Sequence, residues 1–267
     1  MRKLDILADL SGRVALITGG AGHLGQAMAG ALLQSGCRVI LADRHDDRLA
    51  DVCATLTGLH GPRVHGVTCD LEDEAARIAM ADRVSHEHER LDILINNAGF
   101  VGDTALQGWV TSFEEQSIAT WRRALEVNVT APFHLAQLFA PLLRQGGKGS
   151  IINVSSIYGM LGPDMSLYEG TAMGNPAGYA ASKGGLIQLS RWLATTLAPD
   201  VRVNTVSPGG IGRGQPQEFV DRYVARTPMK RMGEEEDFLG VVAFLSSDLS
   251  AWVTGQNIAV DGGWSAW

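Results

Sequence analysis

The chain has 267 residues, 45% hydrophobic and 19% charged, with 22 basic against 29 acidic residues and a formal net charge of −7. That length suits one large α/β domain with a sizeable core, and the acidic balance argues against nucleic acid as the main partner. No apolar run approaches the ~20 residues of a membrane-spanning helix, and the start, MRKLDILADLSGR, lacks the long apolar segment of a signal peptide. Cys37, Cys53 and Cys69 are odd in number and far apart. They suit reduced thiols in a cytoplasmic protein, with neither a disulfide framework nor a metal site.

Taken in order, the pattern is strand, turn, helix, repeated. VALIT (14–18) is an apolar run rich in strand formers, followed by glycines and an Ala/Leu-rich helix from about 24 to 35. Strand two is RVILA (38–42), ending at Asp43, with a helix over roughly 46–57. Strand three is RVHGVTC (63–69), ending at Asp70, with a charged helix over about 72–89. Strand four is LDILIN (91–96). A loop at 100–116 then leads to a long helix over roughly 117–144. Strand five is SIINVS (150–155), followed by a long loop at 160–177 and a helix running to about 197. Strand six is VRVNTV (201–206). Residues 216–226 and 235–246 read as helical, and NIAV (257–260) as the last strand. Apolar strands alternating with helices imply a doubly wound parallel sheet covered on both faces. The loops at 100–116, 160–177 and about 210–230 follow strand carboxyl ends, where open α/β sheets bind ligands.

TGGAGHLG (18–25) holds a GxGxxG pattern at Gly20, Gly22 and Gly25, between a strand and a helix. Glycines let backbone N–H groups approach a pyrophosphate, and the helix N-terminus favours its charge. Gly19, Gly22, His23, Leu24 and Gly25 are therefore candidate cofactor contacts. Asp43 stands eighteen residues past Gly25, where a carboxylate can bind both ribose hydroxyls of an adenosine and repel a 2′-phosphate, favouring NAD over NADP. Arg44 works the other way, since an adjacent arginine can hold a phosphate. A helix cap is the alternative reading of both Asp43 and Asp70. Otherwise Asp70 and Leu71 meet the adenine edge, while Asn97, Ala98 and Gly99 let the backbone pass under the cofactor.

Tyr179 and Lys183 lie four apart, on one face of a helix. A free tyrosine titrates near 10, at about the edge of usefulness as a proton shuttle. A neighbouring cation favours the phenolate and lowers that value. Asn128 sits in an otherwise apolar helical stretch, LEVNVTAPF, where a buried amide needs partners or distorts the helix.

TGGAGHLG, Asp43, CDL (69–71), NNAG (96–99), Asn128, SSIYG (155–159), YAASK (179–183) and SPGGI (207–211) together resemble the short-chain dehydrogenase/reductase family, in that family's order and from about residue 10 onward. The resemblance implies a single Rossmann domain with a seven-stranded sheet, often a homotetramer, spanning 1–267 here. It implies a catalytic set of Asn128, Ser156, Tyr179 and Lys183. Ser156 would bind the substrate oxygen, Tyr179 move the hydroxyl proton, Lys183 lower the tyrosine pKa and bind ribose hydroxyls, and Asn128 hold a water. Ser155 is expected to pack inward. Pro208, Gly209 and Ile211 would touch the cofactor.

The chain departs from the family pattern at three places. His23 replaces the middle glycine. Arg213 takes the place of a threonine five residues after Pro208, binding either cofactor pyrophosphate, an anionic substrate or only solvent. Ser156 and Tyr179 stand farther apart than usual, so the 160–177 loop must bulge outward. That loop and the C-terminus look most like bacterial oxidoreductases of flagellin glycosylation and nonulosonic-acid pathways. Tyr168, Glu169, Asn175 and Trp109 could then bind a polyhydroxylated substrate, with loop packing as the alternative for Tyr168 and Trp109. Trp252, Trp264 and Trp267 are expected to cover a subunit interface. The expected activity is NAD(H)-dependent interconversion of a secondary alcohol and a ketone on a small sugar-like substrate. The rival within enzymes is a 3-oxoacyl-thioester or general ketone reductase using NADPH, and outside them a nucleotide sensor that has lost chemistry.

Overall fold

Val14–Thr18 is buried at every position and forms an interior strand, β1, of a wholly parallel sheet. The computed structural model describes residues 3–102 and 105–267; positions 1 and 2 of the N-terminal stretch and positions 103 and 104 of the first long loop lie outside them. A short helix, α1 (Leu4–Ala8), precedes β1 and carries no apolar periodicity by which to predict it. There follow α2 (His23–Gln34), β2 (Arg38–Asp43), α3 (Asp46–His60), β3 (Val64–Thr68), α4 (Glu74–Glu87), β4 (Ile93–Asn96), α5 (Ile118–Leu125), α6 (Ala131–Gln145), β5 (Gly149–Val154), α7 (Ala177–Leu197), β6 (Val201–Pro208), α8 (Gln217–Arg226), α9 (Leu239–Ser246) and β7 (Asn257–Val260).

The strands run β3-β2-β1-β4-β5-β6-β7, the doubly wound order. On one face Ile17 is in register with Leu41 and Ile95, and on the other Leu16 with Ile40 and Leu94, so the sheet centre is aliphatic on both faces. One face is covered by α2, α3 and α9 through Met28, Leu32, Leu49 and Val242. The other is covered by α4, α6 and α7 through Met80, Val84, Phe139 and Leu193. The expected fold class is therefore the observed one, a Rossmann-like sheet with helices on both faces. Among the described residues, no helix is long and apolar enough to cross a membrane.

The long helix expected over 117–144 is broken. Between α5 and α6, residues Glu126–Thr130 form a π turn. The cause is legible afterwards: Pro132 has no N–H to give the Asn128 carbonyl four residues back, and the ladder widens to pair Ala131 N–H with the Glu126 carbonyl. Strand four begins later than expected, at Ile93; Asp92 just before it accepts from the Val14 amide (2.9 Å) and from Arg90.

The 160–177 loop does bulge outward. It makes a 3₁₀ turn at Met165–Tyr168, buries Leu167 and Tyr168 against Phe219 of α8, and is tied there by an Asp164–Arg226 ion pair of 2.5 Å. Trp264 is not on an outer face as expected; it is 2% exposed and stacks on Tyr223 of α8 at 4.4 Å. Trp252 and Trp267 are exposed. The acidic run at 234–237 is a capping box between Glu234 and Asp237.

Candidate active site

The strand order reverses between β1 and β4, so the loops leaving these strands part and open a crevice at their carboxyl ends. The glycine turn forms one lip. Gly19 has φ +64°, and a Cβ there would sit 2.9 Å from the Ala98 Cα; one on Gly25 would sit 2.3 Å from the Gly19 carbonyl oxygen. Gly22 stands just before α2, which has no side-chain cap. The first-turn N–H groups therefore remain available to an anion. Leu24 is buried below the turn, while His23 opens the helix exposed.

Asp43 closes β2 half-buried. Its Oδ2 accepts from the Ala21 amide at 3.0 Å and its Oδ1 from the His45 amide at 3.3 Å. The residue before α3 is His45, so the cap reading of Asp43 does not hold. Arg44 is exposed and donates to the His45 ring (3.1 Å). Asp70 does not cap either: that role belongs to Asp73, which accepts from Ala75 N–H, while Asp70 accepts from Glu72 N–H at 2.9 Å. Leu71 is buried beside it.

Asn97 holds the lip from the other side, donating from Nδ2 to the Thr18 and Gly19 carbonyls (2.9 and 3.1 Å). Thr18 Oγ1 accepts from the amides of Asn97 and Ala98, both at 3.1 Å. Asp43, Arg44, Asp70, Leu71, Ala98 and Arg123 line a cleft of about 350 Å³. Arg123 was not singled out from the sequence. It grips Glu72 with two bonds of 2.8 Å and lies 4.8 Å from the Phe100 ring centre. A pair fifty-one residues apart leaves no local pattern to find.

Gly99 lines the same cleft and joins it to the chemistry: a Cβ there would lie 3.4 Å from Lys183 Nζ and 3.7 Å from Asn128 Oδ1. Ser156, Tyr179 and Lys183 converge here. Ser156 follows β5 and accepts from the Tyr158 amide at 3.2 Å. The turn it opens lies directly on α7, because a Cβ on Gly159 would meet the Lys183 carbonyl and Ser155 Oγ at 2.7 Å. Ser155 points inward as expected, donating to the Lys183 carbonyl at 2.8 Å. Lys183 is 3% exposed and donates to the Val154 carbonyl at 2.9 Å.

Burial dominates the electrostatics of the group. Burial pushes the Tyr179 phenol up from its ordinary value, and the Ser156 hydroxyl is what opposes that rise. Lys183 Nζ is 5.8 Å from the ring centre, and its own burial lowers it to about 8. Two desolvated groups each favour the neutral form.

Asn128 is 1% exposed and its side chain is fully engaged. Oδ1 accepts from Phe100 N–H at 2.7 Å; Nδ2 donates to Ser182 Oγ at 2.9 Å and to the Phe100 carbonyl at 3.3 Å. Ser182 in turn donates to the Tyr179 carbonyl at 2.8 Å. The amide thus ties the loop after β4 to α7, and the Asn128 carbonyl is the group that Pro132 leaves without a helical donor.

The remaining candidates divide. Pro208, Gly209 and Ile211 leave β6 toward the site; Gly209 donates to the Val260 carbonyl (2.9 Å), Gly210 to the Tyr223 hydroxyl (2.6 Å), and Ile211 bridges to Gly233. Tyr168 is buried with its hydroxyl 2.7 Å from that of Tyr158, and Asn175 Oδ1 is buried without a protein partner among the described residues. Arg213 is not drawn into this group: it is exposed and paired with Glu235 at 3.1 Å. Trp109 is a packing residue, 2% exposed, bonded to the Val101 carbonyl (2.7 Å) and edge-on to Phe100. Glu169 is exposed.

A glycine cradle at the switch point of a parallel sheet, leading to a buried Ser–Tyr–Lys group, defines a dinucleotide-dependent oxidoreductase. Residues 19–265 match the family model described as enoyl-(acyl carrier protein) reductase. The chain is 34% identical, over 95% of its length and 98% of the relative's, to a 3-oxoacyl-[acyl-carrier-protein] reductase of Thermotoga maritima. Among solved structures it resembles a gluconate 5-dehydrogenase from Burkholderia cenocepacia in complex with NADP and tartrate (27% identity, 99% and 100% of the two chains, TM-score 0.86). It also resembles an NAD⁺-bound xylitol dehydrogenase (30%, 95% and 99%, TM-score 0.81). The chain belongs to the short-chain dehydrogenase/reductase family, whose members act on CH–OH and carbonyl groups with NAD(P).

Proposed function

We propose that the chain is an NAD(H)-dependent enzyme that interconverts a secondary alcohol and a ketone on a sugar or sugar derivative, of the kind used in bacterial flagellin and nonulosonic-acid modification. It is read as one catalytic domain over 1–267, with the 100–116, 160–177 and 210–230 loops receiving substrate, and as a cytoplasmic homotetramer. The observation that carries the cofactor preference is the Asp43 carboxylate, which lines the cleft beside Arg44, itself bonded to the His45 ring. A carboxylate there accepts from ribose hydroxyls and repels a 2′-phosphate. The polar 160–177 loop, which carries Tyr168 and Asn175, supports a hydroxylated substrate.

Gly19, Gly22, Gly25 and the N–H groups of the first turn of α2 would hold the pyrophosphate, and Asp43 the adenosine ribose. When bound, the nicotinamide supplies or accepts the hydride. Ser156 donates to the substrate oxygen and stabilises charge on it. Tyr179 gives or takes the hydroxyl proton. Lys183, close to its own pKa of about 8, passes a proton on readily and binds ribose hydroxyls. Asn128 holds the water that links Lys183 to solvent.

The second reading, an NADPH-dependent 3-oxoacyl-thioester reductase, is favoured by the Thermotoga relative. Titrating NADH against NADPH by fluorescence, then assaying a polyol, sugar and acetoacetyl-thioester panel, separates the two. Tighter NADH with polyol turnover is expected; tighter NADPH with thioester reduction overturns the proposal. Asp43→Ala should narrow the NAD preference about tenfold or more in kcat/KM. An unchanged ratio would mean that Asp43 only organises the glycine turn.

A further inference from the structure

The cleft beside the glycine turn is lined by charges of both signs: Asp43, Asp70 and Glu72 against Arg44 and Arg123. Among the described residues the lining therefore sums to −1, three carboxylates less two guanidiniums. Both Asp43 oxygens also accept backbone amides, from Ala21 at 3.0 Å and His45 at 3.3 Å, which draws part of its charge inward. A 2′-phosphate entering this cleft would pair best with a guanidinium, whose planar fork matches its oxygens. Whether it is rejected depends on how the two arginines are engaged.

Arg123 is gripped. Its Nε and Nη2 each meet one oxygen of Glu72 at 2.8 Å, a two-bond pair between α5 and the loop after β3. Glu72 is held in its turn. Its amide donates to Asp70 Oδ1 at 2.9 Å, and the carbonyl of Leu71, just before it, accepts from Arg77 Nη1. Arg77 is 2% exposed, and the same nitrogen donates to Glu126, just past α5, at 2.7 Å. Loop and helix are thus pinned by two ion pairs of opposite sense, Glu72 to Arg123 and Arg77 to Glu126. The charges of the cleft also act on one another. The Arg123 bond holds the Glu72 carboxyl below its ordinary value and Arg44 adds to that effect, while Glu72 first and Asp70 last raise Arg123.

We propose that Glu72 is a specificity-determining residue for the cofactor: by occupying Arg123 and keeping the cleft net acidic, it disfavours a 2′-phosphate, so that Glu72 sets the preference for NAD together with Asp43. This deepens the proposed NAD preference and rests on the seating of the adenosine ribose at Asp43. Glu72→Gln keeps the shape of the side chain, frees the guanidinium and brings the lining from −1 to neutral. Arg123→Met removes a cation and makes the lining more acidic. The double variant restores the original sum.

The test measures dissociation constants for NADH and NADPH by fluorescence titration at low ionic strength, for the unaltered protein, the two single variants and the double variant, with thermal melts of all four. Glu72→Gln is expected to move the ratio of the two affinities about tenfold toward NADPH. Arg123→Met should move it the other way, and the double variant should lie near the unaltered protein. Both shifts should shrink in about 1 M salt, where the screening length falls to roughly 3 Å. A pair that only braces the loop would weaken both cofactors alike, or move the ratio in one direction for both single variants. Either result, or a ratio in Glu72→Gln within twofold of the unaltered protein, overturns the inference. Should Glu72→Gln fail to fold, the sign of the Arg123→Met shift decides alone. An unaltered protein that binds NADPH the tighter overturns the NAD reading, and the directions of the two shifts still decide the role of Glu72.

Discussion

The Tyr179–Lys183 pair was legible as a pair, because spacing four on a helix fixes a shared face whatever lies around it. Its electrostatics were not, because desolvation depends on residues far along the chain. Lys183 is lowered to about 8 by burial, so its charged form is disfavoured in the folded state. Unfolded lysine titrates near 10.4. The penalty is then fully present below pH 8 and fades as pH rises toward about 10.4, where both states are neutral. Lys183→Met should consequently stabilise the cofactor-free protein at pH 7 by roughly 2 kcal/mol, after the lost bond to the Val154 carbonyl is set against the relieved desolvation. The gain should shrink on going to pH 10, while turnover is lost. A variant that melts below the unaltered protein at pH 7 would refute the sign. Tyr179→Phe should keep cofactor binding and lower kcat about a thousandfold, read by a binding titration beside an assay. Near-normal turnover would remove Tyr179 from the proton-transfer role.

At the scale of elements, the strands and the glycine turn were readable because short apolar runs ending in Gly, Asp or Asn carry their own punctuation. The π turn was present in the sequence as Pro132 following Asn128, but a proline near a helical asparagine reads equally well as a helix start. The seating of the serine turn on α7 could not be read at all, since it rests on Gly159 meeting a carbonyl twenty-four residues later. Gly159→Ala places a methyl 2.7 Å from the Lys183 carbonyl, and overpacking of that kind costs about 1–3 kcal/mol. It should lower the urea midpoint and reduce kcat far more than it changes cofactor affinity, because the serine is displaced and the cradle is not. An unchanged kcat with a lowered midpoint would mean that the turn yields without moving Ser156.

For the whole molecule, the sheet order and the layers on its two faces followed from alternation alone, whereas the fate of the aromatic C-terminus did not. Trp264 went inward to stack on Tyr223, while Trp252 stayed 99% exposed. Composition cannot separate the two, because both are tryptophans in polar surroundings. The proposed homotetramer predicts a sedimentation mass about four times the 28.5 kDa of the chain, and Trp252→Glu should reduce that mass without lowering the melting temperature by more than a few degrees. A monomer at micromolar concentration would end the tetramer reading.

The stretch from Trp252 onward also continues through β7 and Asp261 into the Trp264–Tyr223 stack, and Tyr223 holds the Gly210 amide beside the substrate loops. One continuous ribbon therefore serves the outer face and the inner wall. Where copies associate through that face, ligand and neighbour act on the same ribbon, and thermodynamic reciprocity requires that whatever factor association brings to ligand affinity, the ligand brings to association. Any such coupling would show as a specific activity that changes with protein concentration while the fold stays intact.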